Sequence, residues 1–104
     1  MKTLKHKDFD ALQGPAVVFV HAESWCHACK TMKPVVEKIE AETKGVQFFQ
    51  VDTETDDGSD LADAEDIMSI PTTLLVKGGE LVEAIVGLLS EAKFRKRVQA
   101  LLKD

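Results

Sequence analysis

The chain has 104 residues, 44% hydrophobic and 30% charged, which suits a folded domain able to bury one core without disulfide staples or a structural metal. Its formal net charge of −5 disfavours nucleic acid or anionic lipid as principal partner, since both attract a basic face. No apolar run approaches the ~20 residues of a membrane-spanning helix and no basic-led apolar leader opens the sequence, so the expectation is one cytoplasmic domain over residues 1–104.

After a short start at Lys2 to Leu4, "KDFDALQGP" reads as a brief helix with Phe9 and Leu12 inward, closed by Gly14 and Pro15. "AVVFV", Ala16 to Val20, is an unbroken, β-branched apolar run and reads as a strand buried on both faces at the middle of a sheet. From Cys26 to about Thr43, Met32, Val35, Val36 and Ile39 recur at helical spacing and mark an amphipathic helix ending near Gly45. Pro34 lies inside it, where the missing N–H and the ring favour a kink. Val46 to Asp52 is the next strand; the acidic "TETDDGSD" reads as a loop, leading into a short helix from about Asp60 to Glu65. Thr72 to Val76 follows Pro71 as a strand, and "KGGE" turns it into an antiparallel partner, Leu81 to Val86. Ser90 is a good N-cap for a last helix striped by Phe94, Val98, Leu101 and Leu102. This order of elements predicts an α/β fold: a central mixed sheet with helices on both faces.

Both cysteines lie in "SWCHACK", where a buried strand hands over to a helix. At i, i+3 in the first helical turn, Cys26 and Cys29 share a face and can reach one another with modest adjustment. The helix N-terminus favours thiolate over thiol, which makes Cys26 the predicted nucleophile and Cys29, further in, the residue that resolves a mixed disulfide. Zinc would need about four ligands, whereas this chain has no second Cys-x-x-Cys and only three histidines. Haem attachment fails because Lys30, not histidine, follows Cys29. In the acidic stretch, Asp52, Glu54 and Asp56 imitate the start of a calcium loop, but Asp57 stands where that loop needs glycine.

"ESWCHACKTMKP", with Trp25 before the first cysteine and Pro34 in the helix, resembles the active-site segment of the thioredoxin family. Ile70-Pro71-Thr72, the "KGGE" hairpin and Gly87 before the last helix are similar to three further family motifs, in the same order and spacing. The resemblance spans about residues 16 to 102. It implies a thioredoxin fold and a thiol-disulfide oxidoreductase that reduces or exchanges protein disulfides through Cys26 and Cys29, with no bound cofactor or metal. It implies a cis bond before Pro71, and a substrate groove bordered by Trp25, Met68, Ser69, Ile70, Pro71 and Gly87. The partners implied are protein disulfides and an NADPH-dependent thioredoxin reductase, with the chain itself a monomer. A client-binding adaptor, or a dedicated electron donor with weak general activity, is the alternative on the same fold.

Two departures from the family pattern carry chemistry. His27-Ala28 stands where typical thioredoxins have Gly-Pro. A histidine there would stabilise the Cys26 thiolate and make the disulfide more oxidising. The buried acid and lysine that the family keeps behind the second cysteine fall here on Phe19 or Val20, depending on whether Ser24 is an insertion, and on Phe48. That leaves no buried base for the Cys29 proton, and His21 or Glu23 near the end of the same strand, or a water, are candidates to replace it.

Overall fold

The computed structural model describes residues 1–103. Five strands form one sheet in the order β1-β3-β2-β4-β5: β1 Lys2–Thr3, β2 Pro15–His21, β3 Gln47–Asp52, β4 Thr72–Lys77 and β5 Glu80–Val86. β3 runs parallel to both β1 and β2, while β4 is antiparallel to β2 and to β5. The apolar run of β2 therefore takes the central place expected of it. Its alternate residues enter different cores: Val17 and Phe19 go to one face, Ala16, Val18 and Val20 to the other.

Helix α1, His27–Glu42, and α3, Glu91–Ala100, cover the first face through Cys29, Met32, Val36, Ile39, Phe94 and Val98. On the second face lie α2, Asp56–Ala64, contributing Leu61, and the N-terminal turns, contributing Phe9 and Leu12. α1 runs unbroken through Pro34. Of the stripe predicted for the last helix, Leu101 is buried but Leu102 lies beyond the helix and is exposed.

Two local expectations are corrected. The stretch from Lys7 to Gly14 is not an α-helix but one 3₁₀ turn, His6–Asp8, followed by further turns. The backbone bonds Phe9→His6, Ala11→Asp8 and Leu12→Phe9 all span three residues. Such winding eclipses side chains at i and i+3, so Phe9 and Leu12 still point inward together. The acidic stretch is not a loop up to Asp60, because α2 begins at Asp56. Thr55 caps it by accepting the Gly58 N–H at 3.0 Å, and Asp56 and Asp57 in the first turn suit the positive end of the helix. Gly58 is buried there because a Cβ would collide with the main-chain carbonyl of Asp52.

Candidate active site

Cys26 is the N-cap of α1, one position before the first turn predicted for it, with extended backbone (φ −83°, ψ 101°). Its Sγ accepts the Cys29 N–H at 3.1 Å, the bond a Ser or Asp oxygen usually makes at a cap. The sulfur thus lies at the positive end of a 16-residue helix, next to an amide donor that favours a thiolate once the pair is reduced. The two cysteines are joined in a disulfide with Cα atoms 5.2 Å apart. Neither is exposed as a helix-start position suggests: Cys26 is 3% and Cys29 4% accessible, because both pack into the core that α1 and α3 share. His27 between them is exposed, and Ala28 leans on the same core.

Beneath the disulfide the floor is apolar. Phe19 and Phe48 belong to the cluster that holds both cysteines, whereas Val20 faces the opposite core. The position behind Cys29 is therefore Phe19, and the two residues on adjacent strands that would carry an acid and a lysine are both aromatic. The buried side-chain polar atoms without a hydrogen-bond partner among the described residues are His21 Nε2 and Thr73 Oγ1. Both border Phe19: His21 is two residues along β2 with its ring stacked at 5.3 Å, and Thr73 is directly opposite on β4.

His21, 3% accessible, is the one buried ionisable residue besides the cysteines among those described. Its Nδ1 is 3.6 Å from Glu23, which also approaches Lys33 at 3.8 Å. These three, with Thr3, Gln50 and Asp52, line a small polar cavity of about 270 Å³. Burial pushes the imidazole below its ordinary 6.5; Asp52 and Glu23 pull it back up, Lys33 pushes it down and Gln50 raises it. Glu23 itself is largely exposed.

The segment between His21 and Cys26 is fastened to the β3–α2 loop. Thr53 donates its N–H and Oγ1–H to the His21 carbonyl at 2.8 and 3.0 Å. Glu54 accepts the Ser24 N–H at 2.6 Å and the Ser24 hydroxyl at 2.7 Å. Trp25 follows immediately and is 67% exposed.

On the far side, the peptide bond Ile70–Pro71 is cis and Ile70 packs against the cluster of the two cysteines. The Pro71 carbonyl accepts the Gly87 N–H at 2.8 Å, and Gly87 has the positive φ, +80°, that glycine adopts without strain. Trp25, Met68, Ser69 and Ile70 line one groove of about 440 Å³, with Met68 93% exposed. Pro71 and Gly87 are not among its lining residues; they brace the loop that forms its wall. The other wall, Thr53, Ser59, Ala62 and Ile67, was missed by sequence reasoning. The Thr55 cap followed by two acids was the available signal for that helix. Among the described residues no three His, Cys, Asp or Glu side chains converge to hold a metal ion, and no helix is long and apolar enough to cross a membrane.

Comparison with known proteins agrees with this geometry. The Thioredoxin family model matches residues 1–100. Mouse "Thioredoxin, mitochondrial" is 33% identical over 88 residues, 85% of this chain and 52% of that protein; the chain thus spans about half the length of this relative and of its rat and bovine counterparts. Thioredoxin-1 of Saccharomyces cerevisiae is 31% identical over 83% of this chain and 82% of its own. Thioredoxin of Chlamydia caviae is 33% identical over 85% of each. Among solved structures, oxidised mitochondrial thioredoxin 3 of S. cerevisiae shares the fold with a TM-score of 0.83 at 24% identity, covering 96% of this chain and 94% of that one. Fold, cysteine pair, cis-proline loop and these relatives together place the chain in the thioredoxin family.

Proposed function

We propose that the protein is a thiol-disulfide oxidoreductase acting on protein disulfides, and the observation that carries this is the Cys26 Sγ capping α1 with the Cys29 N–H at 3.1 Å. In the reduced state the Cys26 thiolate attacks one sulfur of a client disulfide. The client's other sulfur leaves as a thiolate and a mixed disulfide with Cys26 remains. Cys29 then gives up its proton and attacks the Cys26 sulfur, which restores the Cys26–Cys29 disulfide and releases the client as a dithiol two electrons richer. A reductase drawing on NADPH, of the kind that serves thioredoxins, returns those electrons to the pair. Trp25, Met68, Ser69 and Ile70 hold the client beside Cys26, with Pro71 and Gly87 bracing the loop. His27 and Ala28 tune the potential.

Because Phe19 and Phe48 leave no carboxylate under Cys29, its proton departs by another route. His21, held neutral by burial and backed by Glu23, is the group we assign to that step as a positioning and proton-transfer residue. The reading has the chain working as a monomer in the cytoplasm, although three of its relatives are named as mitochondrial.

Turnover of insulin disulfides with dithiothreitol as reductant tests the activity. Cys26→Ser is expected to abolish it, a loss of more than about a thousand-fold, as for removal of a catalytic nucleophile. The apolar floor favours one second reading, an adaptor that holds clients without reducing them. No turnover by the unaltered protein, with client binding intact, would establish that reading instead.

A further inference from the structure

Resting on the oxidoreductase reading, we propose that the groove selects its clients by charge: it takes an extended segment that places an apolar side chain between Trp25, Ile67 and Ile70 and carries lysine or arginine beside it. The apolar part of the recognition is the groove itself, about 440 Å³. Two of its lining residues adjoin the site in the chain, Trp25 next to Cys26 and Ile70 next to Pro71.

The electrostatic part comes from the wall that α2 supplies. Between Glu54 and Asp66 the chain carries seven of its 18 acidic residues, and between Lys44 and Lys77 it has no lysine, arginine or histidine. Ser59 and Ala62 face the groove. By helical spacing Asp56, at i−3 from Ser59, and Asp63, at i+4 from it, flank that face, and Asp66 immediately precedes Ile67 in the lining. All three are exposed. None of the seven acids is in an ion pair among the described residues.

Three further features sharpen the reading. Glu54, next in the chain to the lining residue Thr53, is pinned by Ser24 at 2.6 and 2.7 Å, so one carboxylate is fixed against a residue two positions before Cys26, and its hydrogen-bond donors are uncharged. Asp63, Glu65 and Asp66 crowd the carbonyl end of α2, the end where a helix favours cations, with no basic residue in its last turn. The Glu65 carboxyl is pushed up chiefly by partial burial and then by the neighbouring charges of Asp10 and Asp66, with His6 pulling it part of the way back. The opposite rim differs: the exposed His27 and Lys30 stand on α1, so the groove is negative on its α2 side only.

Such a field steers oppositely charged segments and repels acidic ones. Three disulfide-linked peptides of one apolar core sequence, flanked by lysine, alanine or glutamate, test it by kcat/KM at low ionic strength. The lysine peptide is expected to exceed the glutamate peptide by about ten-fold or more, the scale of electrostatic steering. In 1 M salt, where screening acts beyond about 3 Å, the ratio should fall to about two or less. The variant Asp56→Asn/Asp63→Asn/Asp66→Asn should lose the preference in the same way, asparagine being able to keep the positive φ of 55° at position 66. Equal rates for the charged peptides, a preference for glutamate, or a preference that survives both salt and the triple variant would overturn the proposal. If the alanine peptide is reduced while no charge preference appears, the charge selection alone fails. If none of the three is reduced, the oxidoreductase reading fails with it.

Discussion

Beneath the Cys26–Cys29 disulfide the chain packs two phenylalanines and no charge, while around it a polar margin of His21, Asp52, Thr53, Glu54 and Ser24 is tied together by short hydrogen bonds. The floor and the margin solve different problems. A dry aromatic floor avoids the several kcal/mol of desolvation that a buried ion pair must recover, and it fixes the strand under the helix by packing alone. The margin holds the segment that presents Trp25 and Cys26, and its two carboxylates, Asp52 and Glu54, stay at least partly exposed. The difference is one of placement: no charge lies under the second cysteine, and the one buried imidazole among the described residues stands at the end of the central strand, 3.6 Å from Glu23.

Placing charge in the floor breaks that division most severely. Phe19→Asp should cost more than about 3 kcal/mol, because it leaves a carboxylate buried without a partner, and adding Phe48→Lys should restore part of that loss. Urea unfolding measures both; a Phe19→Asp protein as stable as the unaltered one would mean that the floor is wet. Gly58→Ala attacks the margin through its backbone, forcing a Cβ against the Asp52 carbonyl. A loss of about 2 kcal/mol is expected, in the range of overpacked buried sites, with thermal unfolding as the readout. Ser24→Ala removes only the hydroxyl bond to Glu54 and should cost about 1 kcal/mol or less; insulin turnover should fall more than stability if the bond orients Trp25 and Cys26.

A pH dependence sharpens the comparison further. Burial lowers the His21 pKa below 6.5 in the folded state, so between that lowered value and 6.5 the unfolded chain binds the proton first. Stability therefore rises with pH through this window and is lost as pH falls through it. His21→Leu should flatten that part of the urea-midpoint profile, and a slope unchanged in the variant would assign it to another group. His27 gives the smallest effect: the disulfide should equilibrate with glutathione at a potential above the roughly −270 mV of thioredoxin, and His27→Gly should lower it. No change on that substitution would remove His27 from the tuning.

Much of this was legible in the residues themselves. The run "AVVFV" marked the central strand because a strand covered on both faces must be apolar throughout, and Cys26, Cys29, Trp25 and Pro71 were marked by their motifs. Other features depended on contacts that no local pattern reports. The start of α2 hid behind Gly58, whose reason is the carbonyl of Asp52 pressed against it. The 3₁₀ turn before β2 has the same i, i+3 apolar spacing as a short α-helix, so Phe9 and Leu12 were placed correctly in the wrong winding. Whether Phe19 or Val20 lies beneath the cysteines rested on how Ala22 to Ser24 leave the strand, which only the paired sheet decides. The second wall of the groove, Ser59, Ala62 and Ile67, comes from an element far from the cysteines in sequence and carries no chemical signature of its own.

The most direct test of the exchange mechanism is to trap its intermediate. Reduced Cys29→Ser protein, mixed with a peptide containing one disulfide, should accumulate a mixed disulfide in a one-to-one ratio, visible as a single mass increment that peptide mapping assigns to Cys26. No adduct, or an adduct forming as readily on Cys29 when Cys26→Ser is used in its place, would contradict the assignment of Cys26 as the attacking thiolate.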